Sequence, residues 1–395
     1  MSAAAAAVIT GMGAISPLGA DVGGLWSSVR ASKVGTGPLS GAWHPTWAGT
    51  LGGEVAEVPG LAGCPDRVSA LALAAAREAV RCASLPADLS GAGARAGVLV
   101  GTVLGDRPAL EPHNTPRASA AGGAFAGRAP ETLARRIALE FGLRGPAVAL
   151  GNACSAGNTA ISAAAARIER GDADLMLAGA ADGLSFAMLA MFAQHRGLAP
   201  DCVRPFDRDR RGLLLSEGAA FLVIEAESHA AARGARALAR VAGWAEATDA
   251  HDMVHPAPDG RAYRAVLQRA LRRAGLSPPD VDYVSAHGTG TRANDPIEAR
   301  AIRDVFGAHA DRLAVSSLKS MSGHCQGASS ALEAVACVLA IRDGWIPPTA
   351  NHQVTDPECP IDVVPNRGRV ARVRAAANLA AGLGGNTSCV LLLAP

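Results

Sequence analysis

The chain has 395 residues, of which 49% are hydrophobic and 18% are charged. This balance excludes an intrinsically disordered protein, and the length is ample for a large core. The 37 basic and 35 acidic residues leave a net charge of +2, so no global field attracts nucleic acid. Glycine is frequent, with 45 residues, and aromatic residues make up only 4%, which favours close packing of helices on sheets.

The hydrophobic pattern predicts strands that alternate with helices along the whole chain. The predicted strands are at residues 6–10, 97–101, 147–150, 175–179, 219–225, 237–245, 281–286, 313–316 and 388–393. The predicted helices are at residues 67–81, 130–141, 155–170, 262–274, 296–306 and 328–343. Such alternation is typical of βαβ units and therefore indicates an α/β fold with mixed, mostly parallel sheets.

The pattern is approximately duplicated, which divides the chain into halves at residues 1–239 and 240–395 without a linker between them. Helices 155–170 and 328–343 carry almost no bulky polar side chains, so we expect both to be buried between two sheets. We therefore predict two stacked sheets that share a central helical layer in one compact unit.

The sequence pattern indicates no signal peptide, no membrane span and no metal site. Residues 1–11 are rich in alanine but lack the basic region of a signal peptide. No run of eighteen apolar residues is free of glycine, proline and charge, so we expect a cytoplasmic protein without a membrane span. The eight cysteines include no CxxC pair. His251 and His255 have the spacing of metal ligands, but Pro256 and Pro258 favour a loop there, and we predict no metal.

Gly11 and Gly13 follow a predicted strand, as the first two phosphate-binding glycines of a dinucleotide fold do. The third glycine of that motif is replaced by Ser16, and Pro17 follows at once. A dinucleotide site is therefore not expected.

Cys154 lies in the segment GNACSAG at residues 151–157, between predicted strand 147–150 and predicted helix 155–170. A thiol at a helix N-terminus faces the positive end of the helix dipole, which favours the thiolate. The tight strand-to-helix turn is typical of a nucleophile elbow. The sequence predicts a nucleophile at Cys154, and the alternative is a buried structural cysteine.

Two later segments place further reactive groups at the ends of predicted strands. His287 follows strand 281–286 and precedes a loop with two glycines and two threonines. Lys319 and His324 precede helix 328–343, which carries Glu333. Because strand ends gather at one place in stacked α/β sheets, these groups can share a site with Cys154.

Five blocks, in this order, resemble the Cys-His-His class of β-ketoacyl synthases, the condensing enzymes of fatty acid and polyketide biosynthesis. The blocks are GMGAISPLG at 11–19, RPFDRDRRGLLLSEG at 204–218, HGTGTRAND at 287–295, KSMSGHCQG at 319–327 and GLGGNTS at 382–388. The resemblance covers essentially the whole chain and implies a thiolase-like, five-layered αβαβα fold.

The resemblance implies a role for each catalytic group. Cys154 would accept an acyl group from acyl carrier protein, and His287 and His324 would stabilise the enolate formed when a malonyl-type extender loses CO₂. Lys319 would support the site electrostatically. The backbone amides of Cys154 and Leu383 would form the oxyanion hole.

The resemblance also implies the supporting residues and the partners. Thr289 and Thr291 would hold the phosphopantetheine arm that presents the substrates, and Asp295 and Glu333 would orient or stabilise the site. We expect no other cofactor, and we expect a homodimer formed through the first half or a heterodimer with a second synthase-like subunit. Four arginines are candidates for docking the acidic carrier protein, although a solvated loop explains them equally well: Arg204, Arg208, Arg210 and Arg211.

Three departures from the family pattern point to specialised, polyketide-like metabolism rather than ordinary fatty acid elongation. Leu383 stands where the family usually has a gating phenylalanine, so control over the acyl chain should be looser. Residues 61–65 are apolar where many relatives carry basic residues, and residues 106–128 are rich in glycine, alanine and proline.

Other activities on the same scaffold stay open. An acyltransferase or starter-loading enzyme would use Cys154 without forming a carbon–carbon bond, whereas the presence of both His287 and His324 favours decarboxylation. A non-catalytic subunit that sets chain length would typically lack the cysteine. A thiolase would have a different, cysteine-containing block in place of the one around His324.

Overall fold

The computed structural model describes residues 6–40, 49–64, 66–105 and 130–395. The strands in these ranges are β1 (Ala7–Ile15), β2 (Gly37–Pro38), β3 (Leu51–Gly52), β4 (Ala96–Gly101), β5 (Ala147–Leu150), β6 (Leu175–Asp182), β7 (Gly218–Ala226), β8 (Ala239–Thr248), β9 (Tyr283–Ser285), β10 (Ala314–Ser316), β11 (Trp345–Ile346), β12 (Arg369–Val370), β13 (Ala375–Ala381) and β14 (Asn386–Leu393). The helices are α1 (Val22–Arg30), α2 (Arg67–Cys82), α3 (Glu131–Phe141), α4 (Ala156–Glu169), α5 (Phe186–Gln194), α6 (Glu227–Ala232), α7 (Arg261–Ala274), α8 (Asp295–Phe306), α9 (Lys319–Ser322) and α10 (Gly327–Asp343).

Every predicted strand and helix is present, with ends that differ by a few residues, and the longest extension is in β1. This strand continues to Ile15, so Gly11 and Gly13 lie inside it rather than in a turn after it. A Cβ on Gly11 would lie 2.3 Å from the carbonyl oxygen of Ala79 in α2. The glycines therefore allow α2 to pack closely on the strand.

Strand β13 and helices α1 and α5 were not predicted. The sequence of β13 is AAANLAA, and alanine has a high helix propensity and a low strand propensity. Such a segment becomes a strand because its neighbours β9 and β14 supply the hydrogen bonds.

Ten of the described strands form one sheet in the order β10-β9-β13-β14-β8-β1-β7-β6-β4-β5. The short strands β2 and β3 pair with each other, as do β11 and β12. In the first half, β1, β4, β5 and β6 run in the same direction and β7 opposes them. In the second half, β8, β9, β10 and β13 share a direction and β14 opposes them. The half-sheets are thus mixed and mostly parallel, and they repeat one topology in which β5 corresponds to β10 and α4 corresponds to α10.

Side chains that alternate along the strands separate the layers. On β6, Leu175 and Leu177 belong to a core that α2 and α3 complete, whereas Met176 and Ala178 point to the core that contains α4 and α10. A third core joins α7 and α8 to the other face of the second half-sheet. The layers are therefore helix, sheet, helix, sheet and helix, as expected for a thiolase-like fold.

The central helices α4 and α10 approach each other closely. A Cβ on Gly157 of α4 would lie 2.6 Å from the backbone nitrogen of Ala331 in α10. All but the last three residues of α10 are buried. In spite of this apolar character, none of the helices in the described ranges combines the length and hydropathy needed to cross a bilayer.

Candidate active site

Cys154 lies in a strained turn between β5 and α4, as the sequence predicts. The preceding residue, Ala153, has φ 44°, which is unfavourable for a residue other than glycine. Ser155 attaches the turn to β13 by donating from its hydroxyl to the carbonyl oxygen of Ala380 at 3.1 Å. A Cβ on Gly382 would lie 2.6 Å from the Ala153 Cβ and 2.9 Å from the Cys154 nitrogen. The backbone just before Leu383 therefore packs directly on the turn that carries the thiol.

His324 is the group in contact with the thiol. Its Nε2 lies 3.1 Å from the Sγ of Cys154. On the other side of the ring, Nδ1 accepts a hydrogen bond from the backbone N–H of Gln326 at 3.2 Å. Because that N–H can only donate, the proton of the neutral imidazole is on Nε2 and faces the cysteine.

His287 stands beside His324, with ring centroids 5.6 Å apart and an angle of 81° between the ring planes. Its backbone N–H donates to one carboxylate oxygen of Glu298 at 2.6 Å, and that of Gly288 donates to the other at 2.8 Å. Glu298 thus holds the backbone at the end of β9 in place. Within the described part of the chain, the buried Nδ1 of His287 has no hydrogen-bond partner.

Both histidines are neutral in this site. Burial lowers the pKa of His287 and of His324 well below the ordinary value, and the positive charge of Lys319 lowers both further. Each neutral imidazole carries one ring N–H, and that N–H can donate to an oxyanion that develops in the site.

The thiol of Cys154 is also neutral. Burial raises its pKa to about 12, and this effect outweighs the opposing effect of Lys319. The thiolate expected at the helix N-terminus is therefore not favoured, because desolvation by burial dominates.

Lys319 and Glu333 form a fully buried ion pair. The ammonium donates to a Glu333 oxygen at 2.5 Å, and each side chain is only 1% exposed. Burial raises the pKa of Glu333 to about 7, although the neighbouring ammonium opposes this shift. The lysine is thus held by Glu333 while its field acts on Cys154 and both histidines.

Asp295 connects the loop of His287 to the segment at 204–218. One of its oxygens accepts from the backbone N–H of Phe206 at 2.7 Å and from that of Gly290 at 3.1 Å. In the same loop, the hydroxyl oxygens of Thr289 and Thr291 lie 3.0 Å apart. Asp295 is therefore in a position to shape the loop rather than to touch a reacting group.

A cavity of about 290 Å³ brings these groups together. Its walls include Cys154, His287, His324 and Leu383, together with both threonines of the His287 loop. Further histidines and arginines at its walls are His195, Arg196, His255 and Arg292, of which the sequence analysis considered only His255, and only as a possible metal ligand.

The four arginines predicted to dock a carrier protein differ in exposure. Arg208 and Arg211 are exposed, and Arg204 is half-buried and paired with Asp201 at 2.8 Å. Arg210 is buried and forms an ion pair with Asp356. The Nε–H of Arg210 donates to the carbonyl oxygen of Thr291 at 3.1 Å, so the guanidinium holds the loop that carries Thr291. The docking prediction is therefore wrong for Arg210.

The sequence analysis missed several residues that shape the site: Asp182, Glu298, Gln326 and Ser329. Glu298 follows Asp295 by three residues on the first turn of α8, a spacing that places both carboxylates on one helix face. Residues 106–128, one of the departures from the family pattern, lie outside the described ranges. No group of three metal-ligating side chains occurs among the residues that the structure describes.

Comparison with known families agrees with this geometry. The model named "Beta-ketoacyl synthase, N-terminal domain" matches residues 5–230, and "Beta-ketoacyl synthase, C-terminal domain" matches residues 238–353. The chain belongs to the β-ketoacyl synthase family. It is accordingly an acyl-transferring condensing enzyme by family, and its matched regions contain the turn of Cys154 and the loops of both histidines.

Individual relatives match at least 96% of the chain. Nodulation protein E of Rhizobium sp. (strain N33) is 41% identical over an alignment of 392 residues that covers 96% of each chain. The solved structure "The ishigamide ketosynthase/chain length factor" is 36% identical, with a TM-score of 0.91 and complete coverage of both chains. A type II polyketide synthase acyl-carrier protein in complex with its ketosynthase, AntDE:AntF, gives 29% identity and a TM-score of 0.91, covering 99% of this chain and 100% of that one.

Proposed function

We propose that this synthase condenses a Cys154-bound acyl chain with a malonyl-type extender, both delivered on acyl carrier protein. The observation that carries the proposal is the 3.1 Å contact between Cys154 Sγ and His324 Nε2 in a cavity that His287 also lines. A nucleophile and two neutral donors at one point are what decarboxylative condensation requires.

In the first half-reaction, the sulfur of Cys154 attacks the carbonyl carbon of the carrier-bound thioester. The new carbon–sulfur bond forms on the enzyme, the bond to the carrier arm breaks, and the thiol proton passes to the released arm. The backbone amides of Cys154 and Leu383 would donate to the carbonyl oxygen while it carries negative charge. The close packing of Gly382, the residue before Leu383, on the cysteine turn supports this choice of amides.

In the second half-reaction, the malonyl-type thioester loses CO₂, and the electron pair moves onto its carbonyl oxygen as an enolate. The Nε2–H of His324 and a ring N–H of His287 would donate to that oxygen. The enolate carbon then attacks the Cys154 thioester, so a carbon–carbon bond forms and the carbon–sulfur bond breaks. The released Cys154 thiolate takes up one proton from solvent, and a β-ketoacyl chain leaves on the carrier.

The carrier is proposed to dock at the mouth of the cavity. Thr289 and Thr291 would hold the phosphopantetheine arm with their hydroxyls. Arg196 and Arg292 are exposed at the cavity wall and would meet an acidic carrier surface. The exposed Arg208 and Arg211 remain candidates for the same contact. The comparison complex of a ketosynthase with its acyl-carrier protein supports this choice of partner.

A second synthase-like subunit, identical or dissimilar, is proposed to pair with the first half. Strand β5 lies at the end of the strand order, and its residues 148–150 are apolar and only half-buried. An edge strand of this kind can extend its sheet with another chain. We place the assembly in the cytoplasm, where the eight free cysteines stay reduced.

Leucine at position 383 supports a role of this synthase in specialised metabolism. It lines the cavity beside the thiol, where a flexible aliphatic side chain restricts the incoming acyl group less than an aromatic ring would. We therefore propose that this synthase accepts a wider set of acyl chains than an enzyme of ordinary fatty acid elongation.

The decisive experiment is intact-protein mass spectrometry after mixing the synthase with a panel of acyl-carrier donors. We expect an acyl mass shift on Cys154 that disappears when malonyl-carrier protein is added and a lengthened β-ketoacyl-carrier appears. A shift that instead passes unchanged to another acceptor would overturn condensation and identify a starter-loading acyltransferase.

A further inference from the structure

The hydroxyl of Ser329 lies 2.9 Å from Nδ1 of His324, on the side of the ring away from Cys154. Ser329 is the third residue of α10 and is 4% exposed. We propose that Ser329 is a positioning residue that holds the ring and the proton of His324 in the arrangement that faces the thiol. This inference rests on the proposed function, since it concerns how His324 performs it.

The direction of the hydrogen bond follows from the other partner of the ring. The backbone N–H of Gln326 already donates to Nδ1 at 3.2 Å, so Nδ1 is an acceptor. The hydroxyl of Ser329 can rotate freely and therefore donates as well. Two donors on Nδ1 oppose protonation there, keep the proton on Nε2, and make that N–H a stronger donor to sulfur or to an enolate oxygen.

The backbone donor to His324 belongs to a residue in an unfavourable conformation. Gln326 has φ 53° and ψ −127°, a conformation that is unfavourable for any residue other than glycine. It is held by its side-chain amide, which donates to the carbonyl oxygen of Gly183 at 2.9 Å, and by the next N–H, of Gly327, which donates to Asp182 at 2.8 Å. Ser329 lies on the regular helix after this strained residue and supplies a donor whose position does not depend on it.

The two histidines differ in this respect. In the described part of the chain, Nδ1 of His324 has two donors, whereas the buried Nδ1 of His287 has no partner. Ser329 therefore acts on one ring of the pair, and removing its hydroxyl should change His324 without changing His287.

The test is Ser329→Ala in protein labelled with ¹⁵N-histidine. We expect the Nδ1 resonance of His324, assigned by its loss in His324→Ala, to shift while the resonances of His287 stay in place. We also expect kcat for malonyl-carrier decarboxylation to fall about three- to tenfold, the effect of one hydrogen bond, with KM unchanged. Ser329→Thr, which retains the hydroxyl, should restore both the resonance and most of kcat.

Ser322→Ala is the matched control, because the buried Ser322 hydroxyl donates, among the residues that the structure describes, to the carbonyl oxygens of Leu318 and Gly323 and not to His324. This variant should leave the His324 resonance and kcat as in the wild type. An unchanged His324 resonance in Ser329→Ala overturns the positioning inference, whatever the activity. If the resonance shifts but the wild-type synthase decarboxylates no malonyl-carrier protein, the proposed function fails while the positioning of His324 stands.

Discussion

The two halves of the synthase share one topology, but their equivalent loops carry different chemistry. In the first half, residues 151–155 connect β5 to α4 and carry Cys154. In the second half, residues 317–326 connect β10 to α10 and carry Lys319 and His324. Since α4 and α10 pack side by side, these two connections meet, and a thiol from one half faces an imidazole from the other.

The difference between the loops shows what each half contributes. The shorter loop is a strained turn that presents one side chain, with Ala153 at φ 44°. The longer loop contains the helical turn α9, which buries Lys319 against Glu333, and ends at Gln326 with φ 53°. The first half therefore supplies the nucleophile, and the second half supplies the groups that stabilise negative charge.

The largest expected effect comes from removing the nucleophile. Cys154→Ala should abolish acyl-enzyme formation, a loss of at least about a thousandfold in acyl transfer, because no other group replaces the covalent step. Intact-protein mass spectrometry measures it. Cys325→Ala, which removes another buried thiol close to the site, should still become acylated, and an acyl adduct that persists in Cys154→Ala would refute the assignment.

Removing His324 separates the two half-reactions. His324→Ala should reduce malonyl decarboxylation about 10²- to 10³-fold, the typical cost of losing one oxyanion donor, and acyl loading much less. Radiolabelled CO₂ release and acyl mass shift measure the two steps. Equal losses in both steps would show that the proposed division between the two loops is wrong.

The buried ion pair is expected to matter for stability as well as turnover. Lys319→Met should lower the free energy of unfolding by about 3–5 kcal/mol, because it leaves the Glu333 carboxyl buried without its partner. Urea unfolding followed by circular dichroism measures this. The double variant Lys319→Met, Glu333→Leu should recover most of the stability but not the activity; recovery of both would mean that the pair is only structural.

The two imidazoles should stay neutral far below the pH at which free histidine titrates. Their pKa values are lowered, so in each case the neutral form persists as pH falls from 8 to about 5.5. Histidine ring resonances measured by NMR across this range should remain constant for His287 and His324, with free histidine as the reference. A titration of either ring near 6.5 would contradict the neutral-donor mechanism.

The smallest effect is expected at the mouth of the site. Leu383→Phe should narrow the range of acyl chains loaded onto Cys154, changing relative loading of long and short chains by about tenfold or less. The acyl-carrier panel and mass spectrometry measure this ratio. Leu383→Met is the control with a similar volume, and a loading profile that Leu383→Phe leaves unchanged would exclude Leu383 as the gate.

Much of the site could be predicted because each reactive residue follows a recognisable strand. Cys154, His287 and Lys319 lie just after β5, β9 and β10, and strand ends of this kind meet at one edge of a sheet. Glu298 and Ser329 could not be assigned in this way, since each acts through a contact that forms only when a helix turn packs beside a loop. Arg210 was misjudged for a related reason, because its partner Asp356 is distant in sequence.

The sequence by itself determined the α/β class, the duplicated pattern and the residues that can react, because hydrophobic periodicity and local motifs are properties of short segments. Only the tertiary structure decided the protonation state and tautomer of each reactive group. Burial keeps the thiol of Cys154 protonated and both histidines neutral, and the backbone N–H of Gln326, just before α10, sets the proton of His324 on Nε2. Desolvation and hydrogen-bond direction depend on what surrounds a side chain in space, so no local pattern in the chain could specify them.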